Sequence, residues 1–442
     1  MIDEREPGQL PYAARRARAL ESLGEDGVLV LPAASEPVAG GDVELRYRPD
    51  PDLYYLTGYS EPEAVLVLAP GAQSPCTLFV RPRDPERELW TGRRGGVEAA
   101  RTRFGADAAF PISELAMRLP DLLAGRSTIY TRPGAGDRVL QDLLLGTLAR
   151  GRVARQRTGR GARALADAGA VLDELRLRKD PHELALMRTA ADISVEAFRA
   201  CAAAIRDGAG EWEVQAVLEF GFRRRGADAP AFESIVAAGD NATVLHYVAN
   251  DRRMHAGELL LVDAGASVGG YAADITRTFP VSGRFTGEQR ALYDAVLSAH
   301  DAALAAVRPG APVDGIHAAA VRALVAALVD QGLLTGAVDA LVEDEQSYKR
   351  FYPHKTSHWL GLAVHDVGEY ALPGATRTLE PGMVLTIEPG LYLPAAAAEL
   401  PEALRGTGIR LEDDVLVTES GAEVLTAALS VAAEEVEALL SP

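Results

Sequence analysis

Three of the chain's eight histidines fall within twelve positions, in the stretch HKTSHWLGLAVHDVG that covers residues 354–368. A lone histidine in an apolar run is usually a satisfied core residue. Three together, interleaved with Gly, Ser and Trp, point to shared chemistry, because neutral imidazole is the commonest metal ligand and the usual proton carrier near pH 7. Such a group calls for carboxylates, and two further stretches supply them. ELLLVDAGASVGGYAADITRTFP ends an apolar run on Asp263 and carries Asp274 beyond a Ser-Val-Gly-Gly turn. A hairpin pivoting between Val268 and Gly269 would set the two aspartates directly opposite each other, with Cβ atoms about 5 Å apart. Downstream, GMVLTIEPGLY ends an apolar strand on Glu388, and GIRLEDDVLV places Glu412 inside another. Buried like charges need a compensating cation. Four carboxylates beside a neutral imidazole leave a charge that two divalent ions would balance. Oxygen-rich ligation favours manganese- or cobalt-like cations over a thiolate zinc site. Two metals about 3.5–4 Å apart can hold a bridging hydroxide and polarise a carbonyl.

One competing motif is present. GASVG, 265–269, matches the G-x-S-x-G nucleophile elbow, which needs a strand before it and a helix after it. The sequence that follows alternates and is rich in strand formers, so Ser267 is expected in a hairpin turn and not as a nucleophile.

The elements that must position these groups belong to a long, acidic chain. Its 442 residues suggest two domains, and 48% hydrophobic with 24% charged residues is a globular composition. A formal net charge of −18 argues against nucleic acid or an anionic membrane as partner. Cys76 and Cys201 have neither zinc spacing nor the density of a disulfide framework. The N-terminal stretch has no apolar signal core, and no run approaches the roughly 20 apolar residues of a membrane span. A cytoplasmic location is expected.

Residues 1–174 mix the amphipathic YAARRARALESL with short buried-strand runs such as DGVLVLPA, AVLVLAP and CTLFVRPRD, as a compact α/β domain would. The arginine-rich stretch at 150–163 reads as a solvated loop. A second domain, 175–442, opens at RKDPHELALMRTAADISVEAFRACAAAI, with Asp180 as N-cap, Pro181 in the first turn and Glu183 completing a capping box. Helices are expected near 211–225, 287–306, 313–332 and 431–440. Strands are expected near 232–238, 258–263, 383–388 and 408–418, with a hairpin over 259–279. The order helices-then-strands occurs twice.

The series Asp263, Asp274, His358, Glu388, Glu412 resembles the five-ligand dinuclear site of the pita-bread metallopeptidases. RPDPDLYYLTGYSEPEAVLVL and ELWTGRRGG are similar to the N-terminal domain of creatinase, prolidase and aminopeptidase P, and SHWLG, with Trp after the ligand histidine, looks like the Xaa-Pro aminopeptidase branch. The resemblance implies an α/β (α+β) architecture: a creatinase/prolidase-like α/β domain followed by a pita-bread catalytic domain. It implies hydrolysis of the N-terminal Xaa–Pro bond of peptides with proline second, through a dinuclear metal-bound hydroxide. Two divalent ions per subunit are expected, manganese before others, with an Xaa–Pro dipeptidase as the alternative on the same fold. It also matches His365 and His246 to groups that bind the substrate carbonyl, Glu388 to a proton carrier, His354 to the lining of the proline pocket and Arg410 to a residue shaping the site. In relatives the N-terminal domain mediates oligomers, so a homodimer or homotetramer is expected. Trp90 is then either core or the wall of a neighbour's pocket. Ala363 departs from the pattern, which commonly has Asp there.

Asp274→Ala is expected to abolish turnover, and Ser267→Ala to leave it largely unchanged. A steady-state assay with a dead serine variant and an active aspartate variant would replace the metal reading with a serine hydrolase.

Overall fold

The computed structural model describes residues 11–41 and 43–441. It separates into two compact units, one extending to Arg176 and the other beginning at Leu177. In the first unit, strands β1 (Gly27–Pro32), β2 (Val65–Leu68), β3 (Cys76–Val80), β4 (Ala108–Pro111), β5 (Thr128–Thr131) and β6 (Ala164–Asp167) form one mixed sheet in the order β4-β3-β2-β1-β5-β6. β1 to β3 are buried along their whole length, which explains why they read as continuous apolar runs. Helix α1 (Tyr12–Leu23) follows the expected amphipathic stretch.

Two expectations for this unit are corrected. The arginine-rich stretch is helical through Thr158, as the end of α3 (Arg138–Thr158); α2 is the short helix Pro85–Thr91. The Asp137 carboxylate caps α3 by accepting from the Leu140 N–H at 2.8 Å, and Gly159, at φ 76°, ends it. Arginine is a good helix former, and the glycine inside the helix has a packing cause. A Cβ on Gly151 would lie 2.4 Å from the Ala162 carbonyl oxygen. Trp90 is not core: it sits on α2, none of whose residues is buried, and is 85% exposed.

The second unit opens with α4 (Pro181–Cys201), where both halves of the Asp180–Glu183 capping box are formed. Two helix pairs follow the expected order, α4 with α5 (Glu211–Arg224) and α6 (Gly287–Ala306) with α7 (Val313–Asp330), each succeeded by strands. The first strand set comprises β7 (Ile235–Ala238), β8 (Leu259–Ala264), β9 (Ala266–Val268), β10 (Tyr271–Ala272) and β11 (Ile275–Pro280), with β8 between β7 and β11. The second comprises β12 (Val384–Ile387), β13 (Gly390–Leu393), β14 (Thr407–Arg410), β15 (Asp413–Val417) and β16 (Ala422–Val424), with β12 on β15 and β13 on β14. The helix Ala433–Leu439 closes the unit. Among the described residues no helix is long and apolar enough to cross a membrane.

The hairpin register also differs from expectation. Gly269 and Gly270 both have positive φ, 57° and 81°, so the two-residue turn lies one position further on. A turn with both central residues left-handed matches the twist of its strands, and glycine adopts it without steric cost. Ser267 is therefore in β9, paired with Ala272, and not in the turn. Asp263 pairs with Thr276, not with Asp274. Continuing that register puts Asp274 across from Gly265, where the ladder breaks between β8 and β9. The two aspartates become diagonal neighbours on one face, still within reach of a shared ligand.

A Cβ on Gly265 would lie 1.7 Å from the Ala273 carbonyl oxygen, which is backbone and cannot swing away. Gly265→Ala is expected to cost at least about 2 kcal/mol, whereas Gly287→Ala, with open space around it, should stay within about 0.5 kcal/mol. Urea midpoints at unchanged m-value measure both; a neutral Gly265→Ala would contradict the close approach.

Candidate active site

Each candidate acid comes from a place where a strand ends or changes sheet. Asp263 is the penultimate residue of β8, and Asp274 lies in the gap between β10 and β11. Glu388 lies between β12 and β13, and Glu412 between β14 and β15. The expected single strand at 408–418 is thus broken at the acid itself. Ile387 pairs with Asp413, so the same register carried one step further sets Glu388 against Glu412. The Thr276–Glu412 bridge ties this pair to β11. His358 comes from an extended segment alongside β12, where its carbonyl accepts from Thr386 N–H and the Thr356 carbonyl accepts from Glu388 N–H.

The side chains converge. His358 Nε2 lies 3.5 Å from Asp274 Oδ2, 3.7 Å from Glu388 Oε1 and 4.0 Å from Glu412 Oε1. Asp274, His358 and Glu412 each offer an atom within 4.8 Å of the others, a separation one metal ion can span. His358 Nδ1 is 3.1 Å from the Trp359 carbonyl oxygen, a contact suited to an Nδ1–H donor that leaves Nε2 free as a ligand. Asp263 accepts from Arg410 Nη2 at 2.6 Å, while Thr276 Oγ1 donates to Glu412 Oε2 at 2.6 Å.

A cation fits this donor set. Asp263 Oδ1 and Asp274 Oδ1 are buried without a hydrogen-bond partner, which is costly unless something else satisfies them. Burial first, then the charges of Asp263, Asp414 and Glu388, pushes Asp274 well above the usual carboxylate range. Burial, then Asp274, Glu388 and Asp263, does the same to Glu412. Burial raises Glu388 to about 7, against the opposing pull of His358 and Arg410. These carboxylates together lack positive charge, and hard divalent cations are what an oxygen-rich set selects.

The remaining histidines surround this cluster. The His365 ring is 4.3 Å from that of His358, centroid to centroid, and is exposed. Burial and the neighbouring His358 and His246 lower its pKa, which favours the neutral form. His246 is also exposed and lies close enough to His354 and His365 for its charge to be felt at both. His354 Nδ1 is 3.6 Å from Glu388, and its Nε2 is 2.8 Å from the Tyr392 hydroxyl. Burial and then Arg410 hold His354 down at about 3. Arg410 is buried with its donors engaged by Asp263, Tyr392 and Thr276. Trp359, the residue after His358 in SHWLG, is fully buried and stacks on Tyr370 at 5.2 Å, so it is core.

Several supporting groups were not singled out from the sequence. Both oxygens of Asp414 accept from the Asp274 N–H, at 3.2 and 3.1 Å. Arg277 donates to the Glu412 carbonyl at 2.6 Å and pairs with Asp413 at 2.7 Å, with His300 Nε2 3.0 Å from the same carboxylate. Burial opposes ionisation of Asp413, but Arg277 and His300 overcome it and hold the group well below the usual range. The run LED-D offered a hint of this; the partners Arg277 and His300 are remote in sequence and gave none.

The raised carboxylates carry a sign that can be tested. The metal-free folded state holds protons that the unfolded chain releases, so its stability is greatest below the ordinary carboxylate pKa and is lost as pH rises through about 7 at Glu388. Bound cations would remove that penalty. The melting temperature of chelator-stripped protein is expected to fall away from that of manganese-loaded protein as pH rises from about 5 to about 8. A difference that is constant or shrinks with pH contradicts the assignment.

Comparison with known proteins agrees with this geometry. Residues 185–419 match the family model described as metallopeptidase family M24, and residues 12–130 match that of the aminopeptidase P N-terminal domain. The chain is 40% identical to the Xaa-Pro aminopeptidase of Escherichia coli K12 over 433 residues, 97% of each chain. It superimposes on the structure of Pseudomonas aeruginosa aminopeptidase PepP with a TM-score of 0.93 and 43% identity, covering 99% and 98% of the two chains. A substrate complex of an E. coli aminopeptidase P variant matches with a TM-score of 0.92 and 39% identity, covering 99% of both. With a pita-bread unit that gathers buried acids around His358, and the matching N-terminal domain, the chain belongs to metallopeptidase family M24, on its aminopeptidase P branch.

Proposed function

We propose that the protein is a metal-dependent aminopeptidase that hydrolyses the N-terminal Xaa–Pro bond of peptides. The observation that carries this reading is the convergence of His358, Asp274, Glu388 and Glu412 within 4.0 Å contacts, with Asp263 beside them. Asp263, Asp274, His358, Glu388 and Glu412 would hold two divalent cations, manganese the expected pair, which when bound would activate water and polarise the peptide carbonyl.

The chain's own groups divide the remaining work. Glu388, raised by burial towards neutrality, is suited to take a proton from water and give it to the departing imide nitrogen. That nitrogen is tertiary in an Xaa–Pro bond, so it has no proton of its own and cannot leave without one. His365 and His246, exposed beside the cluster, donate hydrogen bonds to the carbonyl oxygen as negative charge develops there. His354, neutral and fixed by the Tyr392 hydroxyl, lines the proline pocket. Arg410 shapes the site from behind by holding Asp263 and Tyr392. The exposed Leu89 and Trp90 of α2 suit an interface in a homodimer or homotetramer, where Trp90 would wall a neighbouring pocket. Two buried free thiols, Cys76 and Cys201, suit a reducing, cytoplasmic setting. The branch named for its Xaa-Pro aminopeptidases supports this reading over a dipeptidase.

Arg-Pro-Pro is expected to be cleaved with the highest kcat/KM among Arg-Pro, Arg-Pro-Pro and Arg-Ala-Pro at equal manganese loading. A tenfold preference for the bare dipeptide would transfer the assignment to a prolidase. Equal cleavage of Arg-Ala-Pro would end the claim of proline specificity.

A further inference from the structure

Lys179 and Asp366 form an ion pair that the chemistry above does not use. Lys179 Nζ lies 3.1 Å from Asp366 Oδ2, and the two side chains are 0% and 1% exposed. The ammonium also donates to the Leu177 carbonyl at 3.4 Å. An ion pair removed this far from water adds little stability, because desolvation offsets the attraction; its best-attested use is to fix one arrangement over others. The choice of cation is informative too. Only three of the chain's 45 basic residues are lysine, so a lysine here departs from its habit. The pair is closely packed against Gly361, where a Cβ would lie 2.1 Å from Asp366 Oδ2 and 3.0 Å from Lys179 Cε.

What the pair holds is a loop. Asp366 N–H donates to the Trp359 carbonyl at 2.9 Å and Gly361 N–H to the Ala363 carbonyl at 3.1 Å, so residues 361–366 fold back on the segment that carries His358. His365 sits immediately before the pinned aspartate, and its ring lies 4.3 Å from that of His358. Among the described residues no hydrogen bond holds the His365 ring, so its backbone must aim it. We propose that Lys179 is a positioning residue for His365: by tethering Asp366 it fixes the loop that points the imidazole into the active site. The role given to His365 rests on the function proposed above.

The test compares Lys179→Met, the charge-free pair Lys179→Met with Asp366→Asn, His365→Ala, and Lys179→Met combined with His365→Ala, all manganese-loaded and assayed on Arg-Pro-Pro. Lys179→Met removes the ammonium alone, and the charge-free pair removes both charges of the tether together, so it serves as the variant that retains its fold. Both are expected to lower kcat by about 10²-fold at little change in KM or metal content, as a misplacement of about 1 Å can. Adding Lys179→Met to His365→Ala should cost nothing more, since the group being aimed is already gone. Hydrogen exchange across 361–368 should quicken in both tethering variants, a readout independent of turnover. A folded charge-free pair with wild-type kcat, multiplicative losses in the combined variant, or unchanged exchange would each overturn the proposal. Failure of the wild-type protein to cleave Arg-Pro-Pro would count against the functional reading alone, leaving the exchange result to decide the tether.

Discussion

Four carboxylates, from Asp263, Asp274, Glu388 and Glu412, crowd together, and burial with the neighbouring negative charges makes ionising Asp274, Glu388 and Glu412 costly. Asp414 adds a fifth buried acid behind Asp274. Among the described residues, one full positive charge, Arg410 on Asp263, makes direct contact, with a few dipoles such as the Thr276 hydroxyl on Glu412. That is too little to balance the cluster. The arrangement tolerates such repulsion only because a rigid shell fixes it. Arg277, Asp413 and Thr426 lock the backbone at Glu412, and the ladder between β12 and β15 fixes Glu388 against it. The deficit of positive charge is the property that selects a cation.

The acids stand at strand breaks for a related reason. Within a regular ladder, neighbouring side chains alternate faces and the backbone is used up in pairing. Where a strand leaves one sheet for another, that alternation lapses, and residues from two sheets can turn towards one point. Asp274, Glu388 and Glu412 all occupy such gaps; Gly265 lets the Ala273 backbone cross close by, and Gly390 leaves room for the Tyr392 ring. Geometry useful for chemistry is obtained where regular structure is given up.

This explains which features could be read from the sequence. The helices, the capping box at Asp180 and the apolar strands follow from local periodicity and capping, and they formed as expected. The convergence of acids and histidines was legible because unusual residue types end or interrupt otherwise apolar runs. The hairpin register was misplaced by one position, since four small residues, Ser267 to Gly270, offered several pivots and only the left-handed backbone at Gly269 and Gly270 selects one. The first part of the loop expected at 150–163, through Thr158, is helical, and Gly151 stands in it because of the approach of Ala162, a contact invisible locally. His300 behind Asp413, and Lys179 behind Asp366, depend on partners far away in the chain and left no pattern to detect.

The separation of the clustered residues along the chain has a consequence for synthesis. Asp263 meets Arg410 across 147 positions, and Thr276 meets Glu412 across 136. Contacts of such sequence separation form late, after the intervening helices have been made and packed. A growing polypeptide that has exposed Asp263, Asp274 and even His358 still lacks the two glutamates. The acid cluster around His358 is therefore complete only once the final strands have been made and packed.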